Sequence, residues 1–201
     1  MTGIRWLLPG VILLLIAGAA VCGCVTEDEN YSEASTLYDH AEMVLSGVDW
    51  ENEPPELVDA KLQQAEVDLA EALAIVDAIQ PESDSAEPSA AYALRELILA
   101  KMAYVSAARE VAAAQIHILN AGEAAEMYQY GDWHIEMNAA RGNLDIASNS
   151  LSFSDTRMDG INMTLVPLDM RSDVAEAKAL NDNFDRLIIS LENSVEVALD
   201  S

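Results

Sequence analysis

"PELVDAKLQQAEVDLAEALAIVDAIQ" (residues 55–80) is the stretch that decides the fold. Its apolar residues Val58, Leu62, Ala65, Leu69, Ala72, Val76 and Ile79 recur at alternating spacings of four and three. That period places all of them on one stripe of an α-helix. Acidic residues fill the positions between, and Asp68, beside Leu69, is expected to face solvent. Pro55 suits the first turn, where its missing N–H costs nothing. A heptad seam of this kind packs against neighbouring helices at shallow angles.

The same logic extends outward in both directions. Upstream, residues 32–46 carry Ala34, Leu37, Tyr38, Ala41, Val44 and Leu45 on one face, joined by Val48, with Gly47 as the stop. "VDWENEPP" (48–55) is then a connection. Downstream, "PESDSAEP" (81–88) breaks the helix and Ser89 is placed to cap the next. That third helix contains "LILAKMAYVSAAREVAAAQIHIL" (97–119), in which only Lys101, Arg109 and Glu110 are charged. It carries two apolar stripes, one from Leu94 through Ile98 and Val105 to Leu119, the other from Leu97 through Tyr104 and Val111 to Ile118. A helix apolar on most sides belongs in the middle of a bundle.

"NAG" (120–122) is an expected kink or break. A fourth helix is expected over about residues 132–150, on Ile135, Ala140, Leu144, Ala147 and Leu151. "SFSDTRMDGINMTLVPLDMRS" (152–172) has no helical period and reads as one long loop. Ser172 or Asp173 would cap a last helix seamed by Ala177, Leu180, Phe184, Leu187, Leu191 and Ala198. The expected fold class is therefore all-α, with residues 32–201 forming a bundle of about five helices built from antiparallel hairpins.

Composition agrees. Hydrophobic residues make up 51% of the chain but aromatics only 5%, because alanine supplies much of the apolar count; alanine is the cheapest residue in a helix. Asp and Glu number 35 against 10 Lys and Arg, a net charge of -25. Such a chain repels nucleic acid and anionic lipid surfaces.

The amino-terminal end differs from all of this. Arg5 is the only charge before Glu27, and the run from Trp6 to Val21 would be about 24 Å long as a helix. That is short for a membrane span and suits the apolar core of a signal peptide. The run ends in "AGAAVCGC" (17–24). Here the sequence resembles the signal of prokaryotic membrane lipoproteins, bacterial or archaeal. Val21, Cys22 and Gly23 stand where that pattern places an aliphatic residue and two small ones, and Cys24 where it places the lipidated cysteine. Cys22 departs from the usual second position. The resemblance implies residues 1–23 as a signal peptide, Cys24 as the site of acylation by chains such as palmitate, and 24–31 as an acidic tether. The alternatives are cleavage at Cys22, an uncleaved anchor, and a Cys22–Cys24 bridge, which would close almost no loop and stabilise little. The lipid-anchored reading places the body on the extracytoplasmic face of the cell membrane, with no cysteine left for a disulfide scaffold.

An internal echo crosses the body: "AEMVLSGVDW" (41–50) and "AEMYQYGDW" (125–133). Each has a helix end, a glycine stop and an Asp-Trp pair opening a new helix. In this the two copies resemble the helical hairpins of tetratricopeptide-like repeat proteins, over about ten residues each. The copies are about 84 residues apart, and the 34-residue repeat pattern is absent, so the echo points to two related hairpins and not to a solenoid. In each, the Asp would cap the next helix and Trp50 or Trp133 would staple the turn.

Motifs for chemistry are missing. There is no GxSxG, Walker loop, GxGxxG or HExxH. A di-iron bundle needs Glu three residues before His, but Leu37, Ala114 and Gly131 precede His40, His117 and His134. No catalytic residue, metal or cofactor is expected, and the chain does not read as an enzyme. Two constellations remain. "MYQYGDWH" gathers Tyr128, Tyr130, Trp133 and His134 at one hairpin end, a composition typical of protein-binding surfaces. Arg109, Glu110, Gln115 and His117 interrupt the apolar third helix and could line a small-ligand pocket. Sequons at Asn30 and Asn162, both expected outside helices, would accept glycans if the source glycosylates exported proteins. The leading expectation is an anchored helical module with a protein partner; the alternative is a small-ligand-binding lipoprotein.

Overall fold

The computed structural model describes residues 27–79, 90–164, 166 and 168–200. The signal segment, Cys24, the 81–88 break and the Ser89 cap lie outside these residues. Among the described residues there are five α-helices and no strand: α1 (Glu27–Ser46), α2 (Pro55–Ala78), α3 (Ala90–Glu126), α4 (Tyr130–Gly160) and α5 (Arg171–Leu199), with a short 3-10 turn at Leu168–Met170 before α5. None of the described helices is long and apolar enough to cross a membrane.

Side-chain contacts set the directions. Arg109 near the middle of α3 meets Asp59 at the start of α2, while Arg95 meets Asp77 at its end. Lys178 at the start of α5 meets Asp159 at the end of α4. Consecutive helices are thus antiparallel, and α1, α3 and α5 run the same way. Glu27 stands at one end of the bundle and the 127–129 turn at the other, with the 47–54 turn about half-way between. Lys101 of α3 pairs with Glu42 of α1, which fixes their relative height. Counting from that contact down α1 to Glu27 and up α3 to Glu126 at about 1.5 Å per residue, the two ends lie about 60 Å apart along the axis.

The seam on α2 packs as its spacing requires: Val58, Leu62, Ala65, Leu69 and Ala72 are fully buried. Each large aliphatic side chain so buried contributes about 1.5–3 kcal/mol of transfer free energy. Asp68, however, is buried as well. Its Oδ2 lies 2.7 Å from His40 Nδ1 on α1, and its Oδ1 accepts from Gln64 Nε2 at 3.0 Å. These partners offset the cost of removing a carboxylate from water.

Helix α3 is central, as its apolar sides require, and touches every other helix. Ala93, Ala100, Ala107, Ala114 and Ala121 repeat every seven residues and are all buried, opposite Ala140, Ala147 and Ser154 of α4. Small side chains on both surfaces let the two backbones approach closely. This row also explains why "NAG" does not break α3. Ala121 and Ala124 are buried on either side of Gly122, whose own face is open, so packing outweighs the roughly 1 kcal/mol that glycine costs in a helix.

Other boundaries also differ from expectation. Residues 152–160 belong to α4, not to a loop. The heptad row Ala140, Leu144, Ala147, Leu151 continues through Ser154 to Met158. Ser154 hides the period because it is polar, yet it is fully buried: its Oγ donates to the Ala100 carbonyl at 2.7 Å and accepts from Asn181 Nδ2 at 2.9 Å. Ile135, expected on the seam, is exposed. Helix α1 begins at Glu27, inside the expected acidic tether. Asn30 is therefore helical. Neither Ser172 nor Asp173 caps α5: the cap position is Met170, whose sulfur accepts from the Tyr31 hydroxyl at 3.3 Å.

Candidate functional site

The α3–α4 turn is built by a helix ending of the Schellman kind. The Gln129 N–H donates to the Ala124 carbonyl at 2.9 Å and the Tyr128 N–H to the Ala125 carbonyl at 3.1 Å. This arrangement needs a left-handed residue between the two helices, a place usually held by glycine. Here Tyr128 holds it, with φ of 59°. Gly131, expected as the stop, instead lies in the first turn of α4. Asp132 lies in that turn too and makes no cap.

Around the turn the aromatic side chains are open to solvent. Tyr128 is 79% exposed and Tyr130 64%, with Met127 and Ile135 also exposed. Trp133 is half-buried against the core, its ring edge-on to His134 at 4.7 Å between centroids. Tyr130, Trp133 and His134, with Ala125 of α3 and Leu199 of α5, line a cleft of about 380 Å³. Three of the four aromatic-end residues expected from sequence thus share one cleft, and Tyr128 stands at the turn beside it. Leu199 escapes sequence reasoning, since only the parallel course of α5 brings it here.

The four residues expected to form a pocket do not converge. Arg109 is spent on two acids of α2, with Nε donating to Asp59 at 2.8 Å and Nη1 to Glu66 at 2.8 Å. These carboxylates raise the guanidinium pKa, the Asp59 hydrogen bond most. Glu110 joins Arg109, Asp59 and Glu66 in lining a cleft of about 380 Å³, but Gln115 and His117 do not line it. His117 turns to α4, with Nδ1 2.6 Å from Glu136 Oε2, and this contact lowers the Glu136 pKa. Arg109 and His117 are thus both engaged in helix-to-helix pairing.

A third cleft, of about 210 Å³, runs between α1 and α5 and is lined by Tyr38, Asp39, Glu42, Asp173 and Glu176. Lys101, 2% exposed, reaches Glu42 Oε1 at 2.5 Å. Burial, and then Glu42, raise the Tyr38 pKa. Burial raises the Asp173 pKa, with the neighbouring carboxylates adding to it against a hydrogen bond from Ser172. No group of three or more His, Cys, Asp or Glu among the described residues is arranged to hold a metal.

Of the sequons, Asn162 is exposed between α4 and the 3-10 turn, its Oδ1 accepting from the Thr164 N–H and hydroxyl. Asn30 is half-buried within α1. No known protein family, no curated protein and no solved structure matches the chain.

Proposed function

We propose that this protein is a lipid-anchored module on the extracytoplasmic face of the cell membrane that presents the α3–α4 tip to a protein partner. The observation that carries this reading is Tyr128: a bulky side chain held in a left-handed conformation and left 79% exposed. A strained residue with little packing to repay the strain is the kind retained for contact with something else. The adjoining Tyr130, Trp133 and His134 have the composition of binding hot spots. The tip also stands about 60 Å from Glu27 along the bundle axis, three residues after the proposed lipidated Cys24, so the tether would leave it facing away from the membrane. Small-ligand binding around Arg109 has less support, because that guanidinium is already paired twice.

Capture of partners from membrane extracts tests the tip. Tyr130→Ala and His134→Ala should each weaken capture about tenfold while leaving the melting temperature unchanged, and Arg109→Ala should leave capture intact. Equal capture by all three variants would remove the tip from consideration. The anchor is tested separately: Cys24→Ser should abolish acylation, seen by intact mass, and Cys22→Ser should not. An unmodified Cys24 with residues 1–23 still attached would overturn the anchor.

A further inference from the structure

The tip carries one chemical bias besides its aromatic rings. Between Arg109 and Arg141 there is no lysine or arginine, and there is none after Arg186. Those two stretches contain Glu110, Glu123, Glu126, Asp132, Glu136, Glu192, Glu196 and Asp200. They are the end of α3, the start of α4 and the end of α5, the three elements that meet at the tip. Elsewhere lysines and arginines answer some of the acids: Arg109 faces Asp59 and Glu66, Arg95 faces Asp77, Lys101 faces Glu42 and Lys178 faces Asp159. Among the described residues no lysine or arginine pairs with Glu123, Glu126, Asp132, Glu192, Glu196 or Asp200. The like charges are felt within α4 and α5: Glu192 has a raised pKa, from burial first and then from Asp145, Glu196 and Asp185.

An aromatic cleft formed by helix ends whose carboxylates have no lysine or arginine partner among the described residues has a defined complement. The faces of Trp and Tyr rings attract a cation through their quadrupoles, and the surrounding acids raise its local concentration. We infer that the cleft of Tyr130, Trp133 and His134 receives an arginine or lysine side chain from a basic segment of the partner protein. Ala125 and Leu199 supply the aliphatic wall along which the stem of such a side chain can lie. No carboxylate lines the cleft as Asp59 and Glu66 of α2 meet Arg109, so the ring faces set the orientation and the acids of the neighbouring helix ends set the charge.

This inference rests on the tip being the docking surface. The probe is a nonapeptide carrying three arginines in a Gly-Ser background, titrated into the full chain in neutral detergent, with a citrulline version as its uncharged isostere. Citrulline should weaken binding about tenfold or more. Tyr130→Phe keeps the ring face and should bind as wild type, whereas Tyr130→Leu keeps apolar bulk without a ring and should bind about fivefold more weakly. Glu196→Gln combined with Asp200→Asn should also weaken binding, with less dependence on salt. If Tyr130→Leu binds the arginine peptide like wild type, the cation is held by the general negative field and the inference is overturned. If Tyr130→Ala still disrupts partner capture in that case, the docking surface stands and only its chemistry was misassigned. If capture is unaffected as well, both fall together.

Discussion

The α1–α2 and α3–α4 turns begin from nearly the same ten residues and end in opposite conditions. At the first, Asp49, Asn52, Glu53 and Trp50 all find partners. Asp49 Oδ1 accepts from the N–H groups of Glu51 and Asn52, each at 3.1 Å. Lys61 ties Glu53 to the Gly47 carbonyl. Trp50 lies against Phe184 at 5.3 Å between ring centroids, and Phe184 in turn against Tyr104 at 5.0 Å. At the second, the corresponding Asp132 caps nothing, the ring beside Trp133 is that of the exposed His134, and Tyr128 is strained and exposed. A shared motif thus fixes that a turn occurs and that its tryptophan lies half-buried, while the helices packed beside it decide which rings that tryptophan meets. Beside Trp50 stands the middle of α5; beside Trp133 stands only its last turn, at Leu199.

The tryptophans give the largest test of that contrast. Trp50→Ala removes a ring from a three-ring cluster that joins the first turn to α3 and α5, and should cost about 3 kcal/mol. Trp133→Ala should cost about 1–2 kcal/mol, since its ring borders an open cleft and joins no cluster of buried rings. Denaturant unfolding of the two variants beside wild type measures both. Equal costs would mean that the second turn is as structural as the first, and the case for a binding tip would lose its footing.

The aspartates give a smaller and pH-dependent test. The Asp49 carboxyl is held below the usual carboxylate range, most strongly by the Asn52 side-chain amide and then by the Glu51 N–H. A depressed folded-state pKa contributes stability above the unfolded value that is lost as pH falls through the folded one. Asp49→Ala should therefore lower the melting temperature slightly at pH 7, and the gap to wild type should narrow once the pH falls below about 4, closing as it passes the folded-state pKa. Asp132→Ala should leave the melting curve where it is at both pH values. A loss at Asp132 of the same size would show that it caps α4 in solution.

What was legible in the sequence follows from the physics of each feature. The stripe on α2 is periodic, so its burial could be read directly, down to Leu69. The continuation of α4 through Ser154 could not, because a polar residue occupies a core position and its partners, the Ala100 carbonyl and Asn181, come from other helices. Asp68 misled for the same reason: its neighbour His40 is on α1, and nothing local announces the pair. The aromatic tip was legible as composition. Its strain was not, because Gly131 sits three residues away and is the obvious candidate for the left-handed position. The acid surplus was legible as a total, but its concentration at the tip needed the course of α5. At the Arg109 cluster, the carboxylates that occupy the guanidinium, Asp59 and Glu66, come from α2, so that pairing was not legible locally.

The smallest expected effect separates the two turns most sharply. Tyr128 occupies a conformation that costs an L-residue about 1–2 kcal/mol, and glycine adopts it freely. Glycine in turn gives the unfolded chain about 0.5–1 kcal/mol of extra conformational freedom. With the Tyr128 side chain 79% exposed, little packing is lost. The balance favours Tyr128→Gly by about 0.5 kcal/mol, a substitution that should stabilise the protein while weakening partner capture. A residue kept only for folding cannot behave this way, because removing it would lower stability and leave capture to follow the unfolded fraction. At the first turn the opposite holds: φ is negative at Gly47, so no strain is stored there and no substitution should raise stability at the expense of binding. Paired measurement of the melting temperature and of capture by Tyr128→Gly decides the matter. A lower melting temperature would mean that the tyrosine packs in solution. A higher one with undiminished capture would leave the strain unexplained and move the partner's contact from Tyr128 to the cleft of Tyr130 and Trp133.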